Sequence, residues 1–332
     1  MESIRTAVVG VGHFGQYHAE KLARVDGATL VAVADIDAGR ASEVAARFGV
    51  EAAIDYRALL GRVDAVSIAT PPSTHGAIAR CFLEHGVHVL VEKPITDDIE
   101  EAEALVRLAD KHRRVLQVGH LERFSSVGRA IRRLVGRPIY IDASRIGPYR
   151  PGRSAGINAV LDLMIHDLDL ILQIVNSPIE TVDAVGAPIF SDVEDIANSR
   201  IGFANGCVAN LTVSRVSLKA ERKMKIFEEN SYASVDFLNK KIKIVRRRCG
   251  RQQGGFGQLE TDEVPFAAID SLQEEIHSFV RSVRTGTTPE VTGEDGCRAL
   301  AAALRVVGSL QANWRRVHDH DRDQLAQRVS AQ

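Results

Sequence analysis

Aromatic side chains are scarce in this sequence, at 5% with a single Trp, and there are only three methionines. Cysteine numbers four, Cys81, Cys207, Cys249 and Cys297, with no CxxC pair among them. That spacing argues against a zinc ribbon, a redox motif and a disulfide scaffold. Formal charge is almost balanced at −1, so no global field favours nucleic acid or an anionic membrane. No apolar run reaches the roughly 18 residues a membrane helix needs. No basic-then-apolar leader precedes the first strand pattern, and no internal repeat or low-complexity linker breaks the chain. These absences point to a cytoplasmic protein with reduced cysteines.

What is present is an ordinary globular composition, 45% hydrophobic and 26% charged over 332 residues, enough for two domains with cores. The most informative stretch is TAVVGVGHFGQYH at 6–18, where an apolar run meets Gly10, Gly12 and Gly15. In this G-x-G-x-x-G pattern the first glycine permits a tight turn and the second lets the backbone approach a pyrophosphate. The third allows helix and strand to pack closely, and the helix N-terminus faces the phosphates. A second β-branched run, 29–34, ends in Asp35, about 20 residues after Gly15, where an acid meets the adenosine ribose. A carboxylate there accepts from a 2′-hydroxyl and repels a 2′-phosphate. With no Arg immediately after Asp35, NAD is expected rather than NADP.

The first third alternates strands, at about 4–9, 29–34, 64–69, 87–91 and 115–118, with helical periodicity at about 14–24, 38–48, 74–85 and 98–112. Alternation of this kind predicts a parallel sheet covered on both faces, with its ligand at the carboxyl ends of the strands. Three segments lie at such ends: Ala69-Thr70-Pro71-Pro72, Glu92-Lys93-Pro94 and Gly119-His120. Asp97 is the expected cap of the helix at 98–112. From 125 the pattern changes to a helix, a strand at 138–146, a Gly/Pro/Arg-rich loop and an apolar helix at 158–175. Six strand-like runs between 180 and 246 follow, with no helix long enough to cross between parallel neighbours, so a large, mostly antiparallel open sheet is expected. Helices at about 269–284 and 294–316 close the chain. The fold class is therefore α/β for a dinucleotide-binding domain over 1–122, then α+β for 123–332, with C-terminal helices returning onto the first domain.

Chemistry concentrates in VLDLMIHDLDLILQIV. On a helix Asp162 and His166 are i,i+4 neighbours and Asp169 follows on the same face, giving an acid, an imidazole and an acid among aliphatic residues. Two acids beside one histidine orient a general base and raise its pKa. The plainer alternative is a core histidine satisfied by Asp169, with Asp162 as a cap. Lys93, between a buried strand and Pro94, is placed to polarise a hydroxyl or carbonyl oxygen, the alternative being a solvated strand-end lysine. His318, Asp319, His320 and Asp321 sit in a polar tail without a further ligand group, so no metal is expected. KKIKIVRRRCGR at 240–251 has the alternation of a strand with one wet face, more than that of a nucleic-acid patch.

GVGHFGQYHA, LVAVADID, SIATPPSTH, VEKPI, QVGHLERF, the D-x-x-x-H of Asp162 and His166, and FVRSVRTGTTPEVTGEDGCRALAAAL together resemble the Gfo/Idh/MocA oxidoreductases from residue 5 to about 312. The resemblance implies a Rossmann domain followed by an α+β domain whose large open sheet serves homodimers or homotetramers. It implies Lys93, Asp162 and His166 as the catalytic group, with a cis bond before Pro94. At the cofactor, NAD, it places Gly10, Gly12, His13, Phe14, Gly15, Asp35, Thr70, Pro71, His75, Glu92, Lys93 and His120. On the substrate side the expected set is Lys93, Arg145, Tyr149, Arg150, Arg153, Asp162 and His166, the arginines to meet a diphosphate.

The run Gly156-Ile-Asn-Ala-Val-Leu-Asp162, followed by Met164, departs from the Gly-Gly pair and trailing glycine common in the family, so its wall is bulkier. QVGHLERF, SRIGPYRPGR and VLDLMIHDLDLIL are most similar to the branch of UDP-N-acetylglucosamine 3-dehydrogenases, which act before an aminotransferase in making diamino-sugar lipid A. The implied reaction is oxidation of C3 of UDP-GlcNAc by NAD. An inositol or other free polyol is the second reading. An NAD(H)-binding regulatory protein without turnover is the reading from another class, against which the complete Lys93, Asp162 and His166 set argues.

Overall fold

The computed structural model describes residues 3–150, 156–247, 259–267 and 269–330, with side chains in the closing helix described to 316. Two compact units divide the chain, Met1–Ser125 with Ile269–Leu300 and Ser126–Ala268 with Ala301–Gln332.

In the first unit the apolar runs become β1 (Ile4–Val9), β2 (Ala28–Ala34), β3 (Glu51–Ala53), β4 (Ala65–Ile68), β5 (His88–Glu92) and β6 (Leu116–Gly119). They form one parallel sheet in the order β3-β2-β1-β4-β5-β6. β4 is buried throughout, as strands covered on both faces are. The order reverses between β1 and β4, the switch point where such sheets take a dinucleotide. Between the strands run α1 (Gly15–Leu22), α2 (Ala38–Phe48), α3 (Pro72–Glu84) and α4 (Ile99–His112).

The cap of α4 is Asp98, whose carboxylate accepts from Glu101 N–H at 2.9 Å, and not Asp97. Asp98 holds the extended backbone a cap requires, one residue later than the spacing alone predicts. β3 is a strand the sequence does not announce, since three residues are too few to show alternation. From the C-terminal part of the chain α7 (Ser271–Thr285) completes this unit. Its Ile276, Phe279 and Val280 join Val8, Leu22, Leu30 and Val33 in one buried cluster.

The second unit opens with α5 (Ser126–Leu134) and β7 (Tyr140–Ile146), and a helical segment follows whose first turn, Val160–Met164, is π-helical before α6 (Ile165–Val175). β8 (Ile179–Ala187), β9 (Ile196–Phe203), β10 (Val208–Ser214), β11 (Glu221–Phe227), β12 (Ser231–Asp236), β13 (Lys241–Arg247) and β14 (Leu259–Pro265) complete an eight-stranded sheet. Its order is β14-β13-β12-β11-β7-β10-β9-β8. The sheet is antiparallel except at its middle, where β10 lies parallel to β7. The sheet is thus mostly antiparallel, as expected, and its one parallel step is possible because α6 and the β8–β9 hairpin together make the crossover that no single helix between the later strands provides.

β14 is invisible to periodicity because LETDEVP has only Leu259 and Val264 as large apolar residues and no alternation between them, yet it pairs along all of β13. Its Glu263 takes Lys241 and Lys243, and its Asp262 takes Arg246. The basic run is thereby matched by an acidic neighbour, as an exposed strand face requires. Cys249 and all other residues between β13 and β14, 248–258, lie outside the described residues. The closing helix, α8 (Gly293–Ser330), contributes its start to the first unit and continues in the second. Among the described residues no helix is long and apolar enough to cross a membrane.

Candidate active site

In the first unit the turn between β1 and α1 does what its glycines require. Gly10 has φ of 82°, and a Cβ there would lie 2.7 Å from Thr70 Cγ2 and 2.9 Å from the Ala69 carbonyl. A Cβ on Gly15 would lie 1.7 Å from the Gly10 carbonyl oxygen, so α1 packs on the turn only with glycine there. Beside Gly12 a Cβ would meet no atom within 4 Å, the open approach a pyrophosphate needs. α1 starts without a side-chain cap or an acidic residue in its first turn, so its N-terminal dipole is not neutralised from within. His13 and Phe14 are exposed on this turn, their rings edge to face at 5.4 Å.

Asp35 is fixed at the end of β2. Its carboxylate accepts from the Val11 and Asp37 N–H groups, each at 2.9 Å, which ties the glycine turn to the strand end. Arg40 Nη1 also reaches both of its oxygens, at 3.2 and 3.3 Å. The arginine missing directly after Asp35 is thus supplied five residues on, from the first turn of α2. Glycine turn, uncapped helix start and the acid fixed at the end of β2 are a set that fits a dinucleotide.

Thr70 and Pro71 lie at the carboxyl end of β4, with Thr74 Oγ1 donating to Thr70 Oγ1 at 2.8 Å. His75, expected at the cofactor, is corrected to a supporting place. It is 1% exposed, and its Nδ1 and Nε2 sit 2.9 and 2.8 Å from the carbonyl oxygens of Pro94 and Thr70. The ring clamps two strand-end loops together. Burial lowers its pKa, against the pull of those two carbonyls. His120, at the end of β6, is also buried. The Lys93–Pro94 bond is cis, as the resemblance implies, and Lys93 N–H donates to Glu92 Oε2 at 3.2 Å.

Away from this edge, a cavity of about 360 Å³ lies at the amino ends of β5 and β6, where His88, Arg113, Arg114 and Thr287 contribute to its wall. Desolvation there takes His88 down to about 4.

In the second unit Asn158 starts the helical segment, its side chain accepting from Leu161 N–H at 2.9 Å. The backbone runs through an i→i+5 turn in which Ile165 N–H reaches Val160 O. Such turns concentrate at functional sites, and Asp162 is inside this one. Asp162 and His166 are half-buried, while Asp167 and Asp169 are buried. The strip expected to carry all three polar groups therefore presents Asp162 and His166 and sinks Asp169.

Arg145 is corrected outright. Its guanidinium, 3% exposed, makes a bidentate pair with buried Asp167 at 2.8 and 2.9 Å, so it braces β7 against α6 and is not available to a diphosphate. Tyr149 is 38% exposed and meets Phe190 edge to face at 5.4 Å. Arg150 is exposed, and Arg153 lies outside the described residues.

The approach to the helical segment is held by a pair the sequence did not reveal. Buried Asp195 accepts from the N–H groups of Ile189, Phe190 and Ser191 and from Arg215 Nε at 2.6 Å. Arg215 Nη1 donates on to Ile157 O at 2.7 Å, just ahead of Asn158.

Residues 4–120 match the oxidoreductase family with an NAD-binding Rossmann fold, and residues 132–232 match the GFO/IDH/MocA C-terminal domain. Over 313 residues the chain is 42% identical to UDP-N-acetylglucosamine 3-dehydrogenase of Acidithiobacillus ferrooxidans, which covers 94% of this chain and 99% of that relative. The chain belongs to the Gfo/Idh/MocA oxidoreductase family. A solved structure of the Acidithiobacillus enzyme superposes with a TM-score of 0.87 at 41% identity, covering 94% of this chain and 99% of that one. The scyllo-inositol 2-dehydrogenase (NAD(+)) of Bacillus subtilis is 30% identical over 333 residues, covering 93% of this chain and 94% of the relative. NAD is the cofactor of the family's Rossmann domain, and the glycine turn and Asp35 fit it. Arg40, Asp195 and Arg215 were not found from sequence because nothing in their spacing separates them from ordinary surface charges. Only folding shows which carboxylate each arginine meets.

Proposed function

We propose that this oxidoreductase removes hydride from a secondary hydroxyl of a nucleotide sugar, with C3 of UDP-GlcNAc the reacting carbon and the 3-keto sugar the product. The observation that carries the substrate is the likeness to UDP-N-acetylglucosamine 3-dehydrogenase across nearly the whole of both chains, at 42% identity against 30% for the inositol enzyme. Bound NAD supplies the hydride acceptor. His166 accepts the hydroxyl proton as the C–H bond breaks, and Asp162 holds the imidazole in the accepting orientation. Lys93 stabilises the alkoxide that develops on the sugar oxygen. Two electrons and one proton leave the carbinol as hydride, and the second proton resides on His166 until solvent takes it. Arg150 and Arg153 meet the diphosphate.

The reading includes a cytoplasmic homodimer or homotetramer, in the diamino-sugar branch of lipid A synthesis. Association through the open sheet face is supported by a row of half-buried aromatic residues on neighbouring strands, Tyr140, Phe227 and Tyr232, with ring centroids 5.4 to 5.5 Å apart.

The test is NADH formation by the purified protein with UDP-GlcNAc, other UDP-sugars and free inositols side by side. Turnover of UDP-GlcNAc with inhibition by UDP supports the proposal. Turnover of an inositol alone, with no effect of UDP, replaces it with the polyol reading, and no reduction of NAD by any of them leaves a binding protein.

A further inference from the structure

Glu92, the chain neighbour of Lys93, belongs to a polar cluster that extends past the residues expected at the cofactor and the sugar. His18 on α1 is fully buried, with Nδ1 at 2.7 Å from Ser67 Oγ and Nε2 at 3.0 Å from Glu92 Oε1. Glu275 on α7 is also fully buried, and neither of its carboxyl oxygens has a hydrogen-bond partner. Side-chain atoms of His18, Glu92 and Glu275 lie within 4.8 Å of one another.

Two carboxylates this close do not both carry charge, since they repel each other and the fully buried Glu275, unlike the partly exposed Glu92, has lost all its hydration. Glu92 has the better claim to the negative charge, because His18, the Lys93 N–H and the Lys93 charge all favour it. Glu275 has only the repulsion of Glu92 beside its burial, and both raise its pKa well above the ordinary glutamate value.

The groups packed around Glu275 supply no competing charge. Gln117 on β6 donates to the Glu275 backbone carbonyl at 3.0 Å and leaves its side chain alone. Arg123, from the turn at 121–124, is paired with Asp295 at 2.9 Å. His75 adds only a distant pull on Glu92. A metal is disfavoured by His18 itself, both of whose nitrogens are engaged, so a metal there would have to break the bond to Glu92.

We propose that Glu275 is a neutral carboxylic acid in the working enzyme, the far member of a Ser67–His18–Glu92–Glu275 set that presents Glu92 to Lys93 as the one charged carboxylate. Glu275 is thus a positioning residue that acts on Lys93 through Glu92. This rests on the reading of Lys93 as the group that stabilises the alkoxide, but two of its three tests need no turnover.

The first is infrared difference spectroscopy of the whole enzyme, wild type against Glu275→Gln, at neutral pH. A carboxylic-acid C=O band present in the wild type and lost in the variant supports the proposal; no such band overturns it. The second is thermal stability against pH. A glutamic acid whose folded pKa lies above its ordinary 4.5 keeps its proton when folded and loses it on unfolding, so wild-type stability falls as pH rises above 4.5. The Glu275→Gln variant lacks this slope, and its melting temperature rises relative to wild type with pH; parallel curves overturn the proposal.

The third test is turnover. Glu275→Ala lowers kcat by about tenfold to a hundredfold, the scale of a misplaced catalytic group, with KM for NAD little changed. Glu275→Gln, isosteric with the neutral acid, recovers most of that loss, and a Gln variant as impaired as the Ala variant overturns the assignment. Stoichiometric zinc retained by wild type and lost in Glu275→Gln overturns it as well, since the positive charge of the cluster would then be a metal. If no substrate is found, the infrared and stability arms still decide the state of Glu275, and only the role of Lys93 falls.

Discussion

Arg40 and Asp35 form an ion pair in which one guanidinium nitrogen reaches both carboxylate oxygens, at 3.2 and 3.3 Å. The two partners are held unequally. The Asp35 side chain is 5% exposed and fastened by two backbone N–H groups, whereas Arg40 is 46% exposed. The acid therefore keeps its place when a ligand arrives, and the arginine is the member that can turn. NAD should bind at least about tenfold more tightly than NADP, since a fixed carboxylate facing a phosphate costs more than about 1.4 kcal/mol even with Arg40 beside it. Asp35→Ser releases Arg40 to a 2′-phosphate and should erase most of that preference. Titration calorimetry of both proteins with both cofactors checks this, and equal affinities in the wild type would remove the ribose role of Asp35.

His166 and Lys93 make a paired prediction. His166→Ala should leave NAD affinity intact and lower turnover by about a hundredfold or more, the size of a general-base contribution. Lys93→Met should lower kcat similarly, with a smaller effect on stability, because the lysine stands at a strand end and His166 in a largely buried helix. Steady-state kinetics beside urea unfolding separates the two effects. A folded His166→Ala protein with near-normal turnover would end the assignment.

What the sequence made legible was whatever depends on local pattern. Alternating apolar runs announced the parallel sheet, and three glycines announced the turn, down to the packing role of Gly15. The elements that escaped carry no periodicity of their own. β3 is three residues long, and β14 is a charged edge held by cross-strand pairs with β13. The π-helical turn around Asp162 cannot be read from residue identities, because the same residues satisfy an α-helical pattern.

In the site, residue types were readable and partners were not. Arg145 has the same appearance in sequence as Arg150, and only the placement of Asp167 opposite β7 turns one of them into a buried brace. Glu275, separated from Glu92 by 183 positions in the numbering, gives no sign of its neighbour until α7 packs into the first unit.

Asp195 yields a pH prediction. Its carboxylate is fully buried, and despite that desolvation the backbone N–H groups and Arg215 hold its pKa well below the ordinary aspartate value of 3.8. A carboxylate with a depressed folded pKa contributes stability that is complete above its unfolded value and is lost as pH falls below it. Asp195→Ala should therefore cost about 3 to 5 kcal/mol at neutral pH, as breaking a buried pair does, and the deficit should narrow below about pH 4. Urea unfolding across pH measures it. A deficit that does not shrink in acid would mean that Asp195 matters for packing and not for its charge.

The last prediction separates two arginines that the sequence had grouped. Arg145 and Arg150 flank one loop, and a diphosphate site could draw on both if both were free. The structure gives them different work: Arg145 is buried and bidentate to Asp167, while Arg150 is exposed. Arg145→Ala leaves Asp167 as an uncompensated buried charge and should cost about 3 to 5 kcal/mol of stability, with KM unchanged and apparent kcat lowered only through loss of folded protein. Arg150→Ala should leave the unfolding midpoint unchanged, because an exposed side chain away from special contacts is worth little. It should raise KM for UDP-GlcNAc by about tenfold or more, the scale of one charge-assisted hydrogen bond to phosphate, and leave KM for NAD unmoved. Inhibition by UDP should weaken in parallel, since UDP carries the diphosphate without the sugar. If Arg150→Ala leaves both KM for UDP-GlcNAc and inhibition by UDP as they were, the diphosphate is held elsewhere and this loop does not select the nucleotide.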